Sequence, residues 1–83
     1  MNDTMQIILI DIDCEKPATI QWEGNKQILT WIQEEETPSG EMVTKECKRI
    51  IKCPCRLCNG EILLLTTDYE YADYSYTYLV KPA

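Results

Sequence analysis

Around Gly24-Asn25 the chain alternates apolar and polar residues with a period of two, and this pattern restricts its folding more than any other feature. Gly and Asn tolerate the positive φ angles that a two-residue hairpin turn requires. Closing residues 18–32 on this pair sets Glu23 opposite Lys26 and puts Ala18, Ile20, Trp22, Leu29 and Trp31 on one face. A slip of one residue would turn that face to water. The competing reading of the same stretch is a helix over 26–36, with Ile28, Leu29 and Ile32 as its apolar stripe.

Other segments extend the β pattern. Met5 to Asp13 reads as a strand, with Ile8, Ile10, Ile12 and Cys14 on one side and Ile7, Leu9, Asp11 and Asp13 on the other. Glu15-Lys16-Pro17 is expected to turn, because Pro cannot donate to a central ladder. Glu34 to Gly40 reads as a solvated loop, and residues 42–52 as either a helix or a poorly alternating strand. The run Ile62-Leu63-Leu64-Leu65 has the character of a buried central strand, and Tyr74 to Val80 alternates as a last one. The expected fold is mainly β: one domain over residues 1–83, an antiparallel meander of five or six strands folded into a small sheet or barrel. At most one short helix is expected, at 26–36 or 42–52, the alternative class being α+β.

Eighty-three residues allow a single core and leave its stability margin thin. Phe is absent, so the large core groups are expected to be Ile, Leu, Val, Met, Trp22 and Trp31. Met1 to Thr4 carries no basic residue, and Asp11 and Asp13 interrupt the following apolar run, which is not the pattern of a secretion signal. No stretch is apolar over a bilayer's width, so no membrane partner is expected and the cytoplasm is the expected setting. The net charge of -6 disfavours a non-specific nucleic-acid binder. That charge is uneven. Residues 45–56 hold Lys45, Lys48, Arg49, Lys52 and Arg56 against Glu46 alone, a local +4 that leaves -10 elsewhere. These five cations are candidates for phosphate contacts.

Cys53-Pro54-Cys55-Arg56-Leu57-Cys58-Asn59-Gly60 contains a C-x-x-C ending on a turn glycine. Over about eight residues it resembles a zinc knuckle, in which two thiolates grip one side of a tetrahedral Zn²⁺. With no histidine in the chain, the candidate ligand set is Cys47, Cys53, Cys55 and Cys58, with Cys14 as a substitute. The set is conditional. If residues 47–53 run extended, Cys47 and Cys53 are about 20 Å apart and cannot share an ion. Free structural thiols and disulfides are the alternatives, and thiol chemistry at Cys55 and Cys58 is a further one.

All five tyrosines fall within residues 69–78, interleaved with Asp68, Glu70 and Asp73. Tyr supplies contact area at low entropic cost, and carboxylates meet basic partner surfaces. The candidate partner-binding residues are therefore Asp68, Tyr69, Glu70, Tyr71, Asp73, Tyr74 and Tyr76; the bland alternative is a terminal strand whose rings pack on a sheet. Catalysis is not expected: Asp11-Ile12-Asp13 is an isolated D-x-D, and no nucleophile–base set or phosphate loop accompanies it. The expected function is a small, acidic, non-enzymatic binding protein of the kind phages and mobile elements encode to inhibit or redirect a larger host complex. A zinc-knuckle nucleic-acid or transcription-accessory module is the alternative, and a homodimer is compatible with both.

Overall fold

The computed structural model describes residues 4–11, 14–57 and 59–83. Six strands follow in order: β1 (Thr4–Ile10), β2 (Glu15–Glu23), β3 (Lys26–Glu36), β4 (Met42–Arg56), β5 (Ile62–Asp68) and β6 (Ser75–Pro82). Each pairs antiparallel with the next, and β6 returns to β1 through Ile7–Pro82 to Ile10–Leu79, which closes the barrel. The described residues contain no helix, so none is long and apolar enough to cross a membrane.

The β2–β3 register is the one the alternation predicts, with Glu23 opposite Lys26, Ile20 opposite Leu29 and Ala18 opposite Trp31. Only Gly24 of the turn pair has positive φ, at 65°, which makes Gly the residue the turn needs first. The helical readings of 26–36 and 42–52 are both replaced by strands, β3 and β4. Their Lys, Arg and Glu residues fall on both faces without penalty because much of this hairpin runs past its neighbours into solvent. The ladder from β2 stops at Trp31, and the ladder to β5 begins only at Arg49.

Further expectations change, and Glu34–Glu36, expected in a solvated loop, extend β3. Residues 15–17 lie within β2, where Pro17 stands opposite Ile8. Proline fits there because β3 has already left the ladder beside it, so the missing N–H breaks no bond to β3. Trp22 is 53% exposed although it shares the inward face of Ala18 and Ile20, since it stands one residue from the end of β2, beyond the packed rings of side chains. The first strand ends at Ile10; Ile12 and Asp13 lie outside the described residues.

The core fills the barrel from alternate positions of its strands. Ile7 and Leu9 of β1, Ala18 of β2, Leu29 and Trp31 of β3, Leu64 of β5 and Val80 of β6 are buried together, with Cys47, Ile51 and Tyr78 partly buried against them. Each large aliphatic group so placed contributes about 1.5–3 kcal/mol. The apolar run of β5 is buried on one face only: Leu64 points in, while Leu63 and Leu65 are exposed. Ile28 is the apolar exception on the outer face. It is buried, and it walls a surface recess with Ile50 and Tyr69, where Tyr69 donates to Glu23 at 2.5 Å. The loop after β5 is thus folded back over the outside of β3 and β4.

Candidate functional site

At the end of the barrel where β3 and β4 run on, inward positions turn from apolar to polar. Lys16, Gln33, Lys45, Cys47, Arg49 and Tyr78 line a mouth of about 310 Å³ above Leu9 and Trp31. Gln33 accepts from both Lys16 Nζ and Trp31 Nε1 at 3.3 Å, and Lys16 lies 3.6 Å from Asp11. Sequence reasoning missed Lys16, Gln33 and Glu35 here. They stand on the same alternating faces as Ala18 and Trp31, which was the available signal; that the faces converge on a closed mouth was not visible.

Arg49 is the centre of this end. Its guanidinium lies 4.4 Å from the Tyr76 ring centroid and 5.3 Å from that of Trp31. Its Nε donates to the Tyr78 hydroxyl at 3.1 Å, one terminal nitrogen donates to the Lys48 carbonyl at 2.9 Å, and the same nitrogen sits 3.6 Å from Asp68. Burial raises the Tyr78 phenol above its ordinary value, and the nearby guanidinium opposes that rise.

Asp68 builds the adjoining loop. Its carboxylate accepts from the Tyr71 and Glu70 N–H groups at 2.9 and 3.0 Å, while its own N–H donates to the Tyr74 carbonyl at 2.9 Å. Those two backbone N–H groups, Tyr71 first, hold its pKa below the ordinary 3.8, with Arg49 and Lys45 acting in the same sense. The loop presents Tyr71 and Tyr74, 62% and 58% exposed, edge to face at 6.2 Å. Tyr69 is turned the other way, its phenol raised in pKa by the hydrogen bond to Glu23.

The two sequence-distant patches, tyrosine-acid and basic, are therefore one neighbourhood. Lys45, Lys48 and Arg49 share a recess of about 430 Å³ with Asp68, Glu70 and Tyr71. Lys48 sits 5.2 Å from the Tyr69 ring centroid and 3.7 Å from Glu46. The five candidate cations do not form a single face. Lys45 and Arg49 point into the mouth, Lys48 points outward, and Lys52 and Arg56 lie toward the far end of β4, Arg56 about 35 Å from Lys45 along the strand.

The candidate zinc ligands separate. β4 is extended through both positions, which sets Cys47 about 20 Å from Cys53. A bulge between Ile51 and Cys53 completes the separation by shifting the register, so Cys47 faces inward beside Trp31 while Cys53 and Cys55 face outward opposite Leu65 and Leu63. Cys14 follows β1, and β5 and β6 lie between β1 and β4. Cys14, Cys47, Cys53 and Cys55 are free thiols, and Cys58 lies outside the described residues. Among the described residues no group of three or more Cys, Asp or Glu is placed to hold a metal ion. Comparison with protein-family models, with curated proteins and with solved structures gives no significant match, which leaves the surface itself as the guide to function.

Proposed function

We propose that this chain is a non-enzymatic binding protein whose tyrosine-acid loop, residues 69–74, docks on a basic surface of a larger protein. The observation that carries this reading is the bracing of the loop backbone by Asp68, which offers two large exposed rings on a turn that also carries the exposed Glu70 and Asp73. A preformed loop avoids most of the ordering cost of association, and Tyr is among the residues that dominate interface energies. A groove that ordinarily receives nucleic acid is one partner surface of the right charge, and occupying it would make the protein an inhibitor or modulator of a nucleic-acid-handling complex. The free thiols of Cys14, Cys47, Cys53 and Cys55 suit a reducing cytoplasm.

Direct nucleic-acid binding has weaker support, because Arg49 and Lys48 are engaged by Asp68, Glu46 and tyrosine rings. The test is the double charge reversal Glu70→Lys/Asp73→Lys, two exposed side chains; the brace uses the Glu70 backbone N–H and not its carboxylate. Against a basic partner captured with the wild-type chain and then purified, affinity is expected to fall at least tenfold with no change in thermal unfolding. Unchanged affinity would remove the loop from the interface.

A further inference from the structure

On one side, β3 outruns its neighbour. Its ladder with β2 ends at Ala18–Trp31, whereas β3 continues to Glu36 paired with β4 alone. From Ile32 to Glu36, then, this edge of the strand has no ladder partner among the described strands. β2 runs on to Glu15 with no ladder to β3: its next residues are Pro17, which has no N–H, and Lys16, whose ammonium is bonded to the Gln33 side chain.

Beside the start of this edge lies a groove of about 400 Å³ on the outer surface, walled by Ile8, Pro17, Ala18, Thr30, Trp31 and Ile32. Ile32 is 55% exposed, and the Thr30 hydroxyl in the same wall is buried with no hydrogen-bond partner. Along the edge itself stand Glu34, Glu35 and Glu36.

We infer that the free edge of β3 from Ile32 to Glu36 receives an extended segment of another protein as an added strand, one apolar side chain seated in the groove and Lys or Arg residues facing Glu34–Glu36. Strand addition gains affinity from main-chain hydrogen bonds and specificity from pockets for alternate side chains, and both elements are present here. A second copy of this chain is the wrong occupant. Antiparallel self-pairing would set one glutamate run against another, whereas a basic strand would face it with opposite charge. The site shares no residue with the loop 69–74 and does not depend on it.

The test uses an end-capped octapeptide Lys-Thr-Lys-Thr-Val-Thr-Val-Thr, whose Lys and Val share one face as Glu36, Glu34 and Ile32 do, a matched peptide with Glu for Lys, and two such Lys–Val peptides N-methylated at alternate residues, one in each phase, so that one of them lacks the N–H groups that would pair with β3. With the intact chain, the Lys–Val peptide is expected to bind one to one and to slow amide exchange within 32–36. Glu34→Lys/Glu36→Lys should weaken it at least tenfold, one of the N-methylated phases should lose binding, and the Glu–Val peptide should not bind. No slowing within 32–36, full affinity in the charge-reversed variant, or binding lost instead in Glu70→Lys/Asp73→Lys would each overturn the inference. So would a dimer in sedimentation that protects the same amides without peptide.

Discussion

Arg49 shows how one side chain sets the character of the barrel mouth. Its guanidinium lies over the Trp31 and Tyr76 rings, is bonded to Tyr78 and is set close to Asp68. Arg49→Ala should therefore cost about 2–3 kcal/mol in denaturant unfolding, through lost packing and a half-buried phenol without its donor. Arg49→Lys, keeping charge but not the planar fork, should cost roughly half as much. Trp31 emission is a local probe of the same change. Asp68 gives a pH-dependent counterpart. Its folded pKa lies below 3.8, so its contribution is complete above that ordinary value and is lost as pH falls through the lower native one. Wild type is expected to lose more stability than Asp68→Ala between pH 5 and pH 3, the gap between them narrowing as the carboxylate protonates; parallel losses in urea titrations would assign the loop's order to other groups. Cysteine chemistry divides by face. Cys53 and Cys55 are exposed and Cys47 is half-buried, so brief alkylation should label the first two well ahead of the third. Repeating the labelling after a chelator reports whether a metal shields them.

At the scale of elements, what the sequence made legible was local. The Gly24-Asn25 hairpin and its register follow from alternation, turn chemistry and one charge pair, all within fifteen residues. β4 was not legible, since strands that project beyond a sheet need no single apolar face and so leave no clean period to read. The meeting of Arg49 with Asp68 and Tyr76 was hidden for a different reason: the residues are far apart in sequence, and the closure that joins their strands is a property of the whole sheet. The bulge in β4 was hidden too, and it decides where the cysteines point. Ile51 stands opposite Thr66 and Cys53 opposite Leu65, so Lys52 is the extra residue. Deleting Lys52 should leave every side chain on its present face, and such a variant is expected to unfold cooperatively within a few degrees of wild type. Deleting Ile50 instead shifts the strand by one residue and turns Arg49 or Ile51 out of its place, and this variant should lose cooperative unfolding. Equal tolerance of the two deletions by circular dichroism would mean that the register is not fixed by the core.

For the whole molecule, closure is the feature on which the rest depends. A six-stranded meander left open would expose β1 and β6 as two edges in a chain too small to cover them, whereas pairing β1 with β6 satisfies both. The closing ladder is short, running only from Ile7–Pro82 to Ile10–Leu79, so its strength must come from packing as well as hydrogen bonds. Val80 stands at that seam. It is fully buried, pairs with Leu9 on one side and Ile62 on the other, and belongs to the cluster that joins β1, β3 and β5. Val80→Ala should cost about 2–3 kcal/mol, lowering the unfolding midpoint by roughly 10–20 °C in a domain of this size. Removing residues 79–83 does more, since it deletes the seam and frees the edge of β1. That truncated chain is expected to bind a hydrophobic dye and to associate through its edge at micromolar concentration. If it stays monomeric with its tertiary signal intact, β6 is an accessory to a sheet that is stable when open; if it associates while Val80→Ala remains a folded monomer, closure is what keeps this small barrel both folded and separate from its neighbours.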